Sequence, residues 1–352
     1  MTDINSETTV LVTGANGYIA SWLVKLLLEM GLIVHATVRD KSNQSKVAHL
    51  LAVAESFPEK LKLFNADLFN EASFDEAMQG CSVVFHTASP FIMKGIKDPD
   101  KELIQPALQG TRNVLESANR TESVSRVILT SSVAAIYGDC VDIKSVPGGI
   151  FTEAHWNLSS SIDHQPYCYS KLLAEKEAWK IHSSQDRWDL VVLNPGFVLG
   201  PSLAKASDST SLSTMLELID GTLKMGLPSV YFPFVDVRDV AKAHIKAMET
   251  PDASGRHILV ERSAPLLKVA QMLRQKYGNR FPLPRWQVPK FVFWLVAPFF
   301  GMTRKFAAKN VGYPIEFDNT RAKEDIGVTF RPLNETVIDH CQQIVDDGIV
   351  QG

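Results

Sequence analysis

The sequence of 352 residues lacks cysteine clusters, a segment long enough to span a membrane, and a marked excess of charge of either sign. Its four cysteines are scattered, with no Cys-x-x-Cys pair, and its histidines form no cluster at the spacing of metal ligands. We therefore predict reduced thiols and no metal site. A net charge of −3 does not favour nucleic acid or an anionic membrane as a partner. The polar first nine residues show no secretory signal pattern, so we expect a cytoplasmic protein that acts on a small molecule, as a monomer or a homodimer.

The longest apolar run reads FVFWLVAPFF at residues 291–300, and it is flanked by Lys290, Arg304 and Lys305. Ten residues interrupted by Pro298 are too few for a transmembrane helix, which needs about 20. We predict that this run forms a buried helix or a wall of the substrate pocket. Contact with a membrane surface and a dimer face are the alternatives.

A short β-branched run at residues 9–13 is followed directly by the glycine-containing stretch GANGYIA and then by apolar residues at helical spacing. A strand, a glycine turn and a helix in this order are the context of a dinucleotide-binding fingerprint. Gly14 permits the tight turn, and Gly17 lets the backbone approach a pyrophosphate at the helix N-terminus. We predict cofactor contacts from Gly14, Asn16, Gly17, Tyr18 and Ile19.

The second predicted strand, residues 32–38, ends in Arg39-Asp40. An acid at this position binds the ribose 2′-hydroxyl of NAD, whereas an arginine suits the 2′-phosphate of NADP. Arg39 comes first and Lys46 follows in the same connection, so two cations surround the expected phosphate position. The sequence therefore predicts NADPH/NADP+ as the cofactor, while Asp40 leaves the use of NADH open.

Strands alternate with helices through the first half of the chain, which predicts an α/β fold with a doubly wound parallel sheet of the Rossmann type. The third strand ends beside the expected adenine position, and the fourth ends in small residues that let the backbone lie against the cofactor. Further predicted cofactor contacts are Asp67, Leu68, Thr87, Ala88 and Ser89. We predict that residues 1–195, completed by 230–250, form the cofactor domain, and that residues 196–229 and 251–352 form a smaller substrate-binding region.

Tyr167 and Lys171 lie four residues apart in a run that predicts a helix, and of the seven tyrosines only Tyr167 has lysine at this spacing. Residues four apart share a helix face, so we expect the ammonium beside the phenol to lower the tyrosine pKa. Ser132 stands at the predicted C-terminal end of the fifth strand, on the edge where ligands of such sheets bind. We predict that Ser132 donates to a carbonyl oxygen to which Tyr167 delivers a proton.

Several motifs follow one another along residues 10–248: VTGANGYIA at 12–20, ATVRD at 36–40, FHTASP at 85–90, GTRNVLESA at 110–118, ILTSS at 128–132, YCYSK at 167–171 and NPGFVLGP at 194–201. In these motifs the chain resembles the extended short-chain dehydrogenase/reductase family, in the branch of dihydroflavonol reductases, cinnamoyl-CoA reductases and yeast-type ketone and aldehyde reductases. The resemblance implies a catalytic triad of Ser132, Tyr167 and Lys171, and a 2′-phosphate site at Arg39 and Lys46. It further implies supporting hydrogen bonds from Asn113 and nicotinamide contacts from Pro195, Gly196, Phe197 and Val198.

The predicted reaction is hydride transfer from NADPH to an aldehyde or ketone, which gives an alcohol. Predicted substrate contacts are Ser89, Phe91, Ser132, Tyr137, Tyr169 and Phe197, whose aromatic character favours an aromatic or bulky substrate. A plant dihydroflavonol reductase has an asparagine at the position of Tyr137, so a flavonoid substrate is in doubt. Two alternatives stay open: an NAD-dependent sugar-nucleotide epimerase or dehydratase, which would have an acid in place of Arg39, and a dinucleotide-sensing protein without catalysis.

Overall fold

The computed structural model describes residues 4–89, 96–204 and 209–350. In these ranges the strands are β1 Thr9–Val12, β2 Ile33–Val38, β3 Leu61–Asn65, β4 Val83–His86, β5 Arg126–Thr130, β6 Asp189–Pro195, β7 Phe197–Leu199, β8 Leu227–Pro228, β9 Tyr231–Asp236, β10 Gly255–Leu259, β11 Arg262–Pro265 and β12 Gln287–Val288. The α-helices are α1 Tyr18–Glu29, α2 Gln44–Ala54, α3 Asp75–Met78, α4 Gln105–Arg120, α5 Pro166–His182, α6 Thr210–Ile219, α7 Val237–Glu249, α8 Leu266–Tyr277, α9 Lys290–Val296, α10 Arg304–Asn310, α11 Thr320–Glu324 and α12 Leu333–Asp346.

Seven parallel strands form the main sheet, in the order β10-β6-β5-β4-β1-β2-β3. The order of the strands along the chain reverses between β1 and β4. At such a reversal the connections leave in opposite directions and open a crevice at the carboxyl ends of the strands, where ligands of these folds bind. The predicted doubly wound parallel sheet is confirmed.

Both faces of the main sheet are covered by helices. This explains why successive buried residues of β1 are all apolar. Val10 and Val12 point to the face covered by α1 and α7, whereas Leu11 points to the opposite face, which is covered by α4 and α5. A strand buried on both faces has no solvent side and therefore needs no polar alternation. Complete burial of each such side chain stabilises the fold by about 1.5–3 kcal/mol.

A smaller three-stranded sheet, in the order β11-β9-β7, lies in the second part of the chain. There β7 runs parallel to β9, while β11 pairs with β9 in the antiparallel sense. Helices α6, α8 and α12 enclose a separate apolar core with this sheet, around Phe234, Leu273 and Val337. Because β7 follows β6 after a single glycine, this sheet begins directly beside the carboxyl edge of the main sheet.

The domain limits differ from the prediction in two places. Residues 230–250 were predicted to complete the cofactor domain, but their strand β9 belongs to the smaller sheet, and only α7 packs on the main sheet. Conversely, β10 lies in the range assigned to substrate binding, yet it pairs with β6 at the edge of the main sheet. The sequence did not reveal β10 because Arg256 and His257 interrupt its apolar pattern, although both are buried.

The prediction of a buried helix or pocket wall at residues 291–300 is wrong for most of these side chains. Helix α9 and the following 3-10 turn Ala297–Phe300 bury Phe293 and Ala297, but Phe291, Phe299 and Phe300 are exposed. Among the described residues, no helix is long and apolar enough to cross a membrane.

Candidate active site

The glycine turn after β1 requires its first glycine. Gly14 has a φ of +63°, and a Cβ placed there would lie 3.0 Å from the Cα of Ala88 at the end of β4. The hydroxyl of Thr13 accepts hydrogen bonds from the backbone N–H groups of Thr87 and Ala88, at 3.1 and 3.0 Å. The predicted cofactor residues at the ends of β1 and β4 are therefore fixed side by side.

The N-terminus of α1 is open to an anion. Gly17 is the residue before the first turn, no side chain caps that turn, and no acidic residue lies in it. The free N–H groups and the positive end of the helix dipole suit a phosphate group. The geometry of this turn fits the pyrophosphate of a dinucleotide, with Asn16 and Ile19 on either side of it.

The side chain of Tyr18 has a structural contact instead of facing the glycine turn. Its hydroxyl donates to the carbonyl oxygen of Gly200, and the indole N–H of Trp22 donates to that of Pro201 at 2.7 Å. Burial, reinforced by the nearby carboxylate of Asp236, raises the pKa of Tyr18 well above its usual value. Tyr18 therefore holds the connection after β7 against α1, and its backbone is the part available to a cofactor.

The end of β2 carries the exposed charges that were predicted to favour NADP over NAD. Asp40 accepts hydrogen bonds from the hydroxyl and the backbone N–H of Ser42, at 2.6 and 2.9 Å, and these bonds lower its pKa. That carboxylate is engaged in its own turn, while Arg39 before it is exposed and Lys46 is exposed on α2. Two cations at this edge fit a 2′-phosphate.

The side chain of Asn113, on α4, forms two hydrogen bonds. Its amide donates to the carbonyl oxygen of Leu68 at 2.7 Å and accepts from Gln109 at 2.8 Å. Asp67, next to Leu68, accepts from the backbone N–H of Phe69 at 2.9 Å. Asn113 thus holds the connection after β3, which includes the predicted adenine contacts, and its support of the active-site hydrogen bonds stays a prediction.

Ser132 follows β5 and begins the short 3-10 turn Val133–Ala135. Its hydroxyl accepts from the backbone N–H of Ala134 at 3.1 Å and lies 3.5 Å from the carbonyl oxygen of Pro195. The amide of Asn194 donates to the backbone carbonyl of Ser132 at 3.1 Å. The serine is therefore fixed beside the stretch that was predicted to line the nicotinamide.

That stretch turns sharply from β6 into β7 at Gly196. A Cβ on Gly196 would lie 2.3 Å from the carbonyl oxygen of Pro233, so no larger residue fits without moving β9. The neighbouring Phe197 stacks near Phe232 and Phe234, with ring centres 5.8 and 5.9 Å apart. The hydroxyl of Ser211 donates to the backbone carbonyl of Val198 and fixes the end of the stretch.

Helix α5 presents Tyr167 and Lys171 to the same crevice. The Nζ atom of Lys171 lies 6.0 Å from the centre of the Tyr167 ring and donates to the hydroxyl of Ser89 at 2.9 Å. Burial raises the pKa of Tyr167 and lowers the pKa of Lys171 to about 8. The net pKa of Tyr167 is therefore raised and not lowered as expected, because burial of the phenol outweighs the neighbouring ammonium, which is directed to Ser89.

One turn beyond Lys171, Glu175 is completely buried and accepts four hydrogen bonds. The donors are Arg256 on β10 at 2.5 Å, Asn194 on β6 at 2.7 Å, the hydroxyl of Ser131, and the indole N–H of Trp179 at 3.3 Å. Its negative charge raises the pKa of Lys171 and opposes part of the effect of burial. The sequence contained a signal for Glu175, because residues 167, 171 and 175 share one helix face, but this residue was overlooked.

A second buried carboxylate, Asp139, fixes the start of α5. It accepts from His164 and Gln165, which directly precede the helix, and from Asn310 at the end of α10, each at 2.8 Å. The ammonium of Lys309 lies 3.0 Å away. Helix α5 is therefore tied to the C-terminal part of the chain, and no local pattern in the sequence indicated this.

The predicted substrate residues do not all face one space. Tyr137 packs in an aromatic cluster with Phe151 and Phe317, with ring centres 5.4 and 5.3 Å apart. Tyr169 lies two residues beyond Tyr167 on α5, and residues at that spacing do not share a helix face. Phe91 lies outside the described residues. Ser89, Ser132 and Phe197 lie at the carboxyl edge of the main sheet, and their contact with a substrate stays a prediction.

Comparison with known proteins identifies the family. Residues 10–260 match the model of the NAD dependent epimerase/dehydratase family. The chain belongs to this family. The relatives most similar in sequence include cinnamoyl-CoA reductase CAD2 of Medicago truncatula, 45% identical over 79% of this chain and 84% of that protein. Tetraketide alpha-pyrone reductase 1 of Arabidopsis thaliana is 36% identical over 96% of each chain.

Solved structures of the same family resemble the whole chain. Yeast methylglyoxal/isovaleraldehyde reductase Gre2 in complex with NADPH covers 97% of this chain and all of its own, with a TM-score of 0.79 and 28% identity. Gre2 of Candida albicans, also with NADPH, has a TM-score of 0.78 and 30% identity over 97% of this chain and 99% of its own. These relatives are reductases, which confirms the family branch that the sequence motifs predicted.

Proposed function

We propose that this protein is an NADPH-dependent carbonyl reductase that converts an aldehyde or a ketone to an alcohol. The observation that carries the proposal is the position of Lys171, which shares the face of α5 with Tyr167 and bonds to Ser89 beside the glycine turn. This contact links the catalytic helix to the predicted cofactor site. Ser132 lies at the next strand end on the same edge of the sheet.

The proposed cofactor is NADPH. Its pyrophosphate would lie at Gly14 and the N-terminus of α1, and its 2′-phosphate at Arg39 and Lys46. The presence of NADPH in both Gre2 structures supports this choice. The bound nicotinamide would supply the hydride. The side chains of the triad would stabilise the negative charge that develops on the substrate oxygen.

In the proposed mechanism, the Ser132 hydroxyl donates a hydrogen bond to the substrate carbonyl oxygen. Tyr167, whose raised pKa keeps it protonated at neutral pH, transfers its proton to that oxygen as negative charge develops. Lys171 is largely protonated below about pH 8, and its positive charge stabilises the phenolate that remains. A proton donor positioned in this way contributes about 10²–10⁴-fold to the rate.

The proposed substrate is an apolar or aromatic carbonyl compound. Phe197 and Phe232 are half-buried beside the crevice, and apolar walls with a few directed polar groups are typical of small-molecule sites. The names of the relatives support this class, since cinnamoyl-CoA and isovaleraldehyde both present a carbonyl carbon next to an apolar group. The four free cysteines agree with the proposed cytoplasmic location.

The test compares Tyr167→Phe with Tyr277→Phe, which removes a hydroxyl from α8 far along the chain. NADPH oxidation is followed by absorbance with a panel of aldehydes, ketones and nucleotide sugars. We expect Tyr167→Phe to lower kcat at least about 10²-fold with a good carbonyl substrate, and Tyr277→Phe to leave it within about twofold. Unchanged turnover by Tyr167→Phe would exclude the mechanism. Conversion of nucleotide sugars alone, detected by chromatography of the products without net oxidation of NADPH, would favour the epimerase or dehydratase.

A further inference from the structure

Helix α9 and the turn that follows it leave a large apolar face uncovered. Phe293 and Ala297 pack inward against α10, with Ala307 and Val311. The opposite side carries five apolar residues, which we call the α9 face: Phe291 (69% exposed), Trp294 (39%), Leu295 (51%), Phe299 (88%) and Phe300 (68%). Exposed patches of this kind mark sites of interaction, because isolated apolar side chains are common on surfaces but contiguous aromatic ones are not.

The segment of the sequence that contains the α9 face is strongly basic. Residues 262–315 contain ten lysines and arginines and no aspartate or glutamate, although about six acids would be expected from the average of 39 in 352. The remaining residues contain 26 basic and 39 acidic side chains, which is 36 − 10 against 39 − 0. The net charge of −3 is therefore the sum of +10 for residues 262–315 and −13 for the rest of the chain.

Several of these cations border the apolar face directly. The guanidinium of Arg304 lies 4.7 Å from the centre of the Trp294 ring. Lys290 is exposed at the start of α9, where its Nζ atom donates to the carbonyl oxygen of Ala308 at 2.7 Å. Lys305 is exposed on α10. Aromatic rings are thus surrounded by positive charge on one side of the molecule.

We propose that the α9 face docks on the surface of an anionic lipid membrane. Rings at the boundary between head groups and acyl chains, with lysine and arginine at the level of the phosphates, are the arrangement that peripheral amphipathic helices use. The acidic remainder of the chain is repelled by the same surface, so the charge distribution also orients the molecule.

A second copy of the chain fits this face less well. A two-fold symmetric contact places the same patch on both partners, and here it would bring the cations Lys290, Arg304 and Lys305 of both copies together. The membrane also lies close to the crevice in this orientation, since Phe232 packs in the apolar core beneath α9 and stacks near Phe197. The docking surface itself does not depend on the proposed reaction.

The test measures flotation of the full chain with vesicles of phosphatidylcholine alone and of phosphatidylcholine mixed with phosphatidylserine. We expect binding to the mixed vesicles, at least about tenfold weaker binding to phosphatidylcholine, and loss of binding at high ionic strength. The double variant Phe299→Ser/Phe300→Ser should bind the mixed vesicles at least about tenfold more weakly with its charge unchanged. Leu158→Ser, which removes an apolar side chain that is 89% exposed elsewhere, should bind like the original protein.

Circular dichroism and NADPH oxidation without vesicles check that each variant is folded, and both should be unchanged. The proposal is overturned if the mixed vesicles fail to bind, or if the double variant binds them as well as Leu158→Ser. It is also overturned if ultracentrifugation without lipid shows a dimer that the double variant dissociates, because the face would then join two copies.

Discussion

Replacing Glu175 by glutamine removes a buried negative charge without changing the shape of the side chain. Arg256, which is 7% exposed, then has no carboxylate partner, and leaving one member of a buried ion pair alone costs about 3–5 kcal/mol. With an unfolding entropy of about 2.1 cal/mol/K for each of 352 residues, this cost lowers the melting temperature by about 4–7 °C. The total free energy of unfolding of a domain is about 5–15 kcal/mol, so the variant should still fold.

The same substitution changes the pH dependence of the reaction. Burial lowers the pKa of Lys171 to about 8, and Glu175 opposes this shift, so the loss of Glu175 should lower the pKa further. The other groups nearby do not titrate in this range, because His86 has a pKa lowered to about 3 by burial and by Lys171, and the pKa of Tyr167 is raised. In the proposed mechanism protonated Lys171 is the active form, so we expect activity below its pKa and loss of activity above it.

We therefore expect kcat/KM for NADPH to fall above about pH 8 in the original protein, and to begin falling about one pH unit lower in Glu175→Gln. One unit corresponds to about 1.4 kcal/mol of interaction between the two charges. The measurement is a pH profile of carbonyl reduction together with thermal unfolding of both proteins.

Glu177→Gln is the matched control, two residues further along α5. Glu177 pairs with Arg112 at 2.7 Å, where the arginine is 44% exposed, and a surface pair of this kind contributes about 0–1 kcal/mol. Equal melting temperatures for the two variants would refute the argument from burial. An unchanged alkaline limb in Glu175→Gln would refute the electrostatic link to Lys171, whatever happened to stability.

Three further substitutions test other parts of the site. Arg39→Ser should raise KM for NADPH at least about tenfold and leave KM for NADH nearly unchanged, and equal effects on both would contradict a 2′-phosphate site. Gly196→Ala must displace the carbonyl of Pro233, and we expect lower activity and a lower melting temperature, measured together. Burial raises the pKa of Asp139, but hydrogen bonds led by the one from Asn310 outweigh burial and hold this pKa below its usual value. The ionised carboxylate therefore stabilises the folded protein fully above about pH 4, and this stabilisation is lost as the pH falls further. Asp139→Asn should therefore melt at a lower temperature at pH 7 and show a weaker acid dependence, and an unchanged acid dependence would contradict this.

The sequence revealed those features that depend on local spacing. The glycine turn, the two cations after β2 and the Tyr167–Lys171 pair each occupy a few consecutive residues, and the parallel sheet follows from the alternation of strands and helices. The Glu175–Arg256 pair was hidden because its members are 81 positions apart and meet only through the pairing of β10 with β6. The direction of the Tyr167 pKa was mispredicted for a similar reason, since a pattern of residues does not report how deeply a side chain is buried.

Strand β10 belongs to the main sheet but follows β9 of the smaller sheet in the sequence. No single cut in the chain therefore separates the two sheets. A fragment that ended before residue 255 would retain β6 with its outer edge unpaired, although six of its seven residues are buried in the complete protein. An apolar edge of that kind pairs readily with any strand that is offered to it, including the same strand of another molecule. Such a fragment should aggregate, and a fragment containing residues 251–350 supplied in trans should rescue it, as the two halves of a split protein do.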